Sequence, residues 1–295
     1  MRLRRSELST PASSEKMMEK AAASSADFVF LDLEDAVAPN QKAEARGKAV
    51  TALKTLDWGK KTRAVRINGV DTQYAHEDII QMVTEAGDHI DIIIIPKPKA
   101  ARDVWWVDTL ITQLETKLGR KHQIKLEALI EEVEGLINVE EIARSSARLE
   151  ALIFGPGDFS ASQGVRLGYF SKYPGDAWHY ARNKIVVACR AAGIEAVDGP
   201  YADFKNPEGY REDATRSMIL GFVGKWAIHP SQIDIANEVY SPTQKEVDYA
   251  RKVTTAYAKA EAEGQGAIAI DGVLIDVASV RGLRNIVAKA DLIGM

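Results

Sequence analysis

Along the first three-quarters of the chain, short apolar runs rich in β-branched residues alternate with longer stretches whose apolar residues recur at helical spacing. The short runs fall near Arg5–Thr10, Phe28–Leu33, Thr62–Ile67, Ile92–Pro96, Leu126–Ile130, Leu149–Phe154, Ile194–Val197 and Lys225–Ile228. Between them lie Glu15–Ser24, Gln41–Lys54, Tyr74–Glu85, Val104–Lys117, Gly135–Ala143, Ala177–Ala192 and Asn206–Leu220, each with the period of an amphipathic helix. Eight such units in about 230 residues predict a closed (β/α)8 TIM barrel rather than an open doubly wound sheet. A dinucleotide fingerprint also fails: Gly155-Pro156-Gly157 is followed by Ser160 where a third glycine is required.

The pentapeptide LEALI occurs twice, at 126–130 and 149–153. Its place in the alternation makes it two successive barrel strands converging on one buried pattern, not a duplicated domain. The C-terminal flanks differ. The first copy runs into Glu131, the second reaches Asp158 through Phe154-Gly155-Pro156-Gly157.

After Pro230 the pattern changes. Ser241-Pro242-Thr243-Gln244 has the form of a helix start, with Ser241 as N-cap and proline at the first helical position. A charged helix is expected to about Glu263, then two short apolar runs joined by Asp271-Gly272, a two-residue hairpin turn. A last helix is expected over Val280–Leu292. The chain therefore divides into a barrel over residues 1–235 and an extension over 236–295, which a barrel does not need and which would cover the mouth of its own barrel or a neighbour's.

Composition changes this picture little. Apolar residues at 46% and charged residues at 27% supply a globular core, and the net charge of −4 argues against nucleic acid. The basic N-terminus MRLRRSELST has no apolar segment after it, and no run reaches the length of a membrane span, so no membrane association is expected. The single cysteine, Cys189, sits in an amphipathic stretch and reads as a buried structural thiol. A cytoplasmic location fits these features.

Barrel active sites form at the C-terminal ends of the strands. Those ends carry Asp32-Leu33-Glu34-Asp35, Arg66-Ile67-Asn68, Pro96-Lys97, Glu131, Gly157-Asp158, Asp198-Gly199-Pro200 and His229-Pro230. So many carboxylates around one cavity need a counter-charge, and oxygen-only donors point to Mg²⁺, with Mn²⁺ as another occupant. Glu131 and Asp158, on adjacent strands, are the ligand candidates, with Glu34 and Asp35 beside them in support. Gly155 and Gly157 would let backbone approach a ligand, and Arg66 suits a carboxylate or a developing oxyanion. Bland alternatives exist for each. Asp35 or Asp158 could cap a following helix, and Glu131-Glu132 could be a solvated first turn. Arg66 could be an ordinary ion pair, His229 a satisfied structural histidine, and Trp105-Trp106 helix packing or a subunit contact.

The segments FLDLEDAV, AVRING, IIPK, ALIEEVEGLINVEEIA, FGPGDFSAS, VDGPYADF and GKWAIHPSQIDIANEVY resemble the HpcH/HpaI aldolase–citrate lyase β-subunit superfamily, and within it the malyl-CoA/β-methylmalyl-CoA lyases. The resemblance covers nearly the whole chain. It implies a homotrimeric or homohexameric Mg²⁺-dependent barrel that cleaves a 3-hydroxyacyl-CoA thioester to acetyl-CoA or propionyl-CoA and glyoxylate or a similar 2-oxo acid, with the reverse condensation. By the same resemblance Glu131 and Asp158 are metal ligands, Arg66 is the active-site arginine, and Lys20 contacts CoA. Gly157, Ile228 and His229 would line the substrate, and Asp276 would be an acid/base group that one subunit lends to its neighbour. Two segments depart from the pattern: Leu8–Ser14, which bears on the CoA contacts, and Gly164–Asp176, whose shortness brings in citramalyl-CoA as a substrate. Other readings are a malyl-CoA thioesterase on the same metal site, a citrate-lyase-type β subunit acting on an acyl carrier protein, and a noncatalytic metabolite-binding barrel.

Overall fold

The computed structural model describes residues 2–166 and 176–295. Eight parallel strands close in sequence order, each hydrogen-bonded to the next and β8 back to β1. They are β1 (Ser6–Pro11), β2 (Phe28–Asp32), β3 (Thr62–Arg66), β4 (Ile92–Pro96), β5 (Lys125–Ile130), β6 (Leu149–Phe154), β7 (Glu195–Asp198) and β8 (Gly224–Ala227). The helices between them are α1 (Glu15–Ala22), α2 (Lys42–Thr55), α3 (Ala75–Ala86), α4 (Ala101–Leu118), α5 (Val133–Ile137), α6 (Val139–Ala143), α7 (Pro156–Ser162), α8 (His179–Ala192) and α9 (Pro207–Leu220). The TIM barrel expected from the alternation is therefore the fold. Two details differ. The helix expected over Gly135–Ala143 is broken into α5 and α6 at Asn138, whose side-chain amide donates to the Lys99 carbonyl at 2.8 Å. The short α7 had no periodicity to announce it; Pro156 at its first position starts it.

The barrel interior is a packed column, as strand pleating requires. Phe28 and Phe30, Ala64, Ile92 and Ile94, Leu129, Ala151 and Ile153, Val197 and Trp226 form one buried cluster. Continuing that two-residue period past the apolar layers puts Asp32, Arg66, Glu131 and Gly155 at the C-terminal rim. Register also settles the LEALI repeat. Leu126 pairs Leu149, but the pairing then shifts so that Glu127 faces Ala151 and Ile130 faces Phe154. The shift reverses the parity: the first copy gives Leu129 to the interior cluster, and the second gives Ala151 and Ile153.

Residues 239–295 form a second compact unit. It contains α11 (Gln244–Ala262), the antiparallel hairpin β9 (Ala267–Ile270) and β10 (Val273–Asp276), and α12 (Val277–Ile293); α10 (Ile233–Val239) ends at the junction. Asp271 and Gly272 both have positive φ, 52° and 78°, as a two-residue hairpin turn requires. Val253, Tyr257, Ile275 and Val280 make its core. The helix-start expectation needs one correction: the N-cap is Thr243, not Ser241. Thr243 Oγ1 accepts from the Glu246 N–H while Glu246 accepts from the Thr243 N–H, the reciprocal pair of a capping box. Cys189 is fully buried, and burial pushes its thiol up to about 12.

Candidate active site

The rim of the barrel is assembled around Arg66. Asp32, at the end of β2, accepts two hydrogen bonds from Arg66, from Nε at 2.8 Å and Nη2 at 2.6 Å. The same carboxylate accepts from the backbone N–H groups of Glu34 and Ala36, so it fixes both the arginine and the turn after its own strand. Beneath Arg66 lie the rings of Trp226 and Phe30, with centroids 5.4 and 6.0 Å from the guanidinium carbon. Trp226 is held in turn by an Nε1–H bond to Glu7 at 2.9 Å. Burial opposes the Arg66 charge, but Asp32 and Glu34 outweigh it and the guanidinium stays ionised. Arg66 is an ion-pair partner, as one sequence reading allowed. Of its five N–H groups, however, Asp32 takes only two.

Glu34, Asp35, Asp158 and Lys97 meet on the same rim. Lys97, from the end of β4, is 2.7 Å from Glu34, 3.3 Å from Asp35 and 3.8 Å from Asp158. Glu34 also lies 3.0 Å from Arg66 Nη1. The loop that carries Glu34 and Asp35 is clamped by buried Lys42, which donates to the carbonyls of Leu33 and Glu34 at 2.7 and 2.6 Å. Neither Asp35 nor Asp158 caps a helix: Gly155 is the N-cap of α7, and the 3-10 turn and α2 beyond Asp35 have Ala38 and Gln41 at their caps. Asp158 stands in the first turn of α7 with its side chain 45% exposed.

Glu131 is the anomaly. It is not a solvated helix turn, being only 3% exposed, and its Oε1 is buried without a hydrogen-bond partner. Burial pushes its carboxyl well above the ordinary carboxylate range; Glu34 adds to this, Arg66 and Lys97 oppose it, and Asp158 adds again. Gly155 is explained by the same residue. A Cβ there would meet Glu131 Cβ at 2.5 Å and Oε2 at 2.7 Å, so Gly155 makes room for Glu131 and not for an approaching ligand. Gly157 is different, exposed with open space where a side chain would go.

The residues present fit a hard divalent cation: one buried carboxylate lacks a partner, another stands half-exposed beside it, and all donors are oxygen. Among the described residues no group of three or more His, Cys, Asp or Glu side chains is arranged to enclose a metal. A two-carboxylate site that leaves the remaining positions to water and substrate is the magnesium habit.

The other sequence candidates take different places. Ile228 and His229 come after β8 on this rim and are exposed. His229 is satisfied locally, its Nδ1 2.8 Å from Ser231 Oγ and its ring stacked 4.9 Å from Phe204. Lys20 is exposed in the last turn of α1, and the structure does not bring it into the cluster. Asp198, at the end of β7, is withdrawn from the site: it is fully buried between Arg182 and Lys225. Asp276 belongs to the second unit, where it is exposed and N-caps α12 through the Ser279 N–H at 2.9 Å, which lowers its pKa. Of the Trp105-Trp106 pair, Trp105 is 60% and Trp106 36% exposed, so neither is buried in helix packing. Residues 167–175 of the Gly164–Asp176 segment lie outside the described residues. Sequence reasoning named Asp32 and Lys97 only as strand-end residues and missed what they do. The signal was present in the charge count, since a carboxylate-rich rim must place its few cations centrally.

Fold and site together define a (β/α)8 barrel with an acidic, charge-unmatched rim at the C-terminal ends of its strands. The HpcH/HpaI aldolase/citrate lyase family matches residues 5–230, and the chain belongs to that family of barrel enzymes. It is 45% identical over 302 aligned residues to an L-malyl-CoA/beta-methylmalyl-CoA lyase of Cereibacter sphaeroides, covering 98% of this chain and 95% of the relative. A (3S)-malyl-CoA thioesterase of the same species is 35% identical over 291 residues, covering 98% and 95%. Among solved structures, the CitE protein of Mycobacterium tuberculosis in complex with magnesium, acetoacetate and coenzyme A superposes with a TM-score of 0.76 at 27% identity, over 97% of both chains. Among the described residues no helix is long and apolar enough to cross a membrane.

Proposed function

We propose that this protein is a Mg²⁺-dependent carbon–carbon lyase that cleaves a 3-hydroxyacyl-CoA such as malyl-CoA or β-methylmalyl-CoA to acetyl-CoA or propionyl-CoA and glyoxylate, and that it also runs the condensation. The observation that carries this is the buried, unpartnered Glu131 oxygen on a rim shared with Asp158 and Arg66. The lyase relative, similar over nearly its full length, and the magnesium- and CoA-bound CitE structure support the choice of substrate and metal.

Glu131 and Asp158 would hold the cation, which when bound supplies a Lewis acid and template for the 2-oxo or hydroxy-acid oxygens. Arg66, locked by Asp32 and seated on Trp226, would present its uncommitted N–H groups to the thioester oxygen that gains charge as the bond breaks. Its rigidity matters, because a donor already in place loses nothing to reorganisation. Gly157, Ile228 and His229 would line the acyl end, with Glu34 and Asp35 steering the rim charges. Asp276, from the second unit of a neighbouring copy in a trimer or hexamer, would protonate the enolate carbon or, in condensation, remove the α-proton. Val273, Leu274 and Val277 around it leave an exposed apolar surround fit to seat on another chain. Lys20 as a CoA contact rests on resemblance alone.

Product analysis by mass spectrometry, with Mg²⁺, with Mn²⁺ and with EDTA, tests the reading. Metal-dependent formation of malyl-CoA from acetyl-CoA and glyoxylate, and its reversal, is the expected result. Malate and free CoA from malyl-CoA, with no condensation, would make the protein a thioesterase like its 35%-identical relative. Citramalyl-CoA cleavage in place of malyl-CoA would change the acyl group. Mixing Asp276→Ala with Arg66→Ala protein should recover activity in hybrid oligomers; no recovery after verified subunit exchange would remove Asp276 from the mechanism.

A further inference from the structure

The backbone of Lys97 is held where a side-chain-bearing residue rarely sits. Its φ is 51°, in the left-handed region, and it lies between Pro96 and Pro98. Such strain persists only when neighbours hold it. They do: Gly135 lacks the Cβ that would meet the Pro98 carbonyl oxygen at 2.4 Å, and Asn138 fixes the Lys99 carbonyl. The result is an ammonium delivered among Glu34, Asp35 and Asp158. Arg66 is shared between Asp32 and Glu34 and also opposes Glu131, so Lys97 is the cation that reaches Asp35 and Asp158 and the second one acting on Glu34 and Glu131.

We infer that Lys97 is the resident counter-ion of this rim, holding the carboxylates together before a divalent cation arrives and setting how tightly that cation binds. The inference rests on the proposed Glu131–Asp158 metal site and adds to it a residue that opposes the metal. A positive charge 3.8 Å from one ligand carboxylate repels an incoming cation while stabilising the metal-free rim. The two effects have opposite signs, which separates this role from a merely structural one. A structural lysine would lose both stability and metal affinity on removal.

The test is titration of the purified, metal-free full-length protein with Mg²⁺ by calorimetry, together with melting curves with and without saturating Mg²⁺. Lys97→Met should melt below wild type without metal, bind Mg²⁺ about tenfold more tightly, and regain most of the lost melting temperature when saturated. Lys97→Arg, which keeps the charge, should stay near wild-type affinity. Should the methionine variant fail to fold, Lys97→Gln keeps a polar head for Glu34 and tests the same sign. Wild type that binds Mg²⁺ while the uncharged variants bind it equally or more weakly overturns the inference and leaves the metal site standing. Wild type that binds no Mg²⁺, with Asp158→Asn indistinguishable from it, brings down the proposed metal site and this inference with it.

Discussion

Two buried charge clusters occupy the C-terminal half of this barrel, and only one of them leaves none of its buried oxygens without a partner. Around Asp198, at the ends of β7 and β8, Arg182 and Lys225 face Asp198, Asp213 and Asp176, all within 3.0 Å. Burial alone would raise the Asp213 pKa, but Lys225 and Arg182 outweigh it and hold the carboxyl low. Around Glu131 the excess of carboxylates is larger: Arg66 and Lys97 face Asp32, Glu34, Asp35, Glu131 and Asp158, and two buried oxygens, Glu34 Oε2 and Glu131 Oε1, have no hydrogen-bond partner. A buried ion cluster that closes on itself needs nothing more and serves the fold. One left open stores an unfavourable charge that a bound cation relieves. Between these two clusters, the pairing left open rather than burial or position at a strand end marks the difference.

The largest test of that contrast is to neutralise the odd carboxylate. Glu131→Gln should lower lyase turnover by about three orders of magnitude, because a cation ligand is lost. The same variant without metal should melt at or above the wild-type temperature, since it removes a buried charge that nothing matches. A metal-free Glu131→Gln protein that melts several degrees lower would mean Glu131 is satisfied in a way the contrast does not allow. The closed cluster should answer oppositely. Lys225→Met leaves Asp198 and Asp213 short of a cation and should cost about 3–5 kcal/mol in urea unfolding, with the Mg²⁺ affinity of the folded protein unchanged.

A pH series sharpens the comparison at intermediate size. The folded-state pKa of Glu131 lies above its unfolded value, so the folded state holds the proton more tightly. Its contribution is present below the ordinary carboxylate range and is lost as pH rises through the raised folded value. Wild type should therefore lose stability relative to Glu131→Gln across that window, and Mg²⁺ should abolish the difference. A constant difference from acid to neutral pH would contradict it. The smallest effect is expected where the clusters touch. Trp178 stacks on Arg182, 5.5 Å from the guanidinium carbon, and donates from Nε1 to Ser160 of α7, the helix that carries Asp158. Trp178→Phe should cost about 1 kcal/mol of stability and weaken Mg²⁺ by a factor of about two to five through α7. Unchanged affinity would uncouple the clusters.

How much of the molecule is legible in its sequence varies with the range of the forces involved. The eight strands and most helices are legible because period and breaker residues act over a few neighbours. Asp271-Gly272 is the simplest case: its turn geometry is local, and the structure adopts it. Glu131, Asp158 and Arg66 are legible as strand-end residues, since in a barrel chain order sets which ends adjoin. The mistaken N-cap shows the limit even of local reading. Ser241 and Thr243 both offer a hydroxyl with a Gln or Glu three residues on, and the structure closes the reciprocal pair at Thr243 and Glu246. Asp198 shows the wider limit, because its two cations come from residues 182 and 225.

Local periodicity and strand order were enough to dictate the alternation, the barrel and the supply of carboxylates to one rim. Long-range packing chose which carboxylate would lack a partner, which lysine would be forced into a left-handed turn beside it, and which face each LEALI copy presents. Two identical pentapeptides turn opposite sides to the barrel interior because the β5–β6 pairing slips between Leu126 and Glu127. No property of five residues encodes that slip. It is set by the hydrogen bonds each strand finds with its neighbour, and it places Glu131 against Gly155 at the barrel mouth.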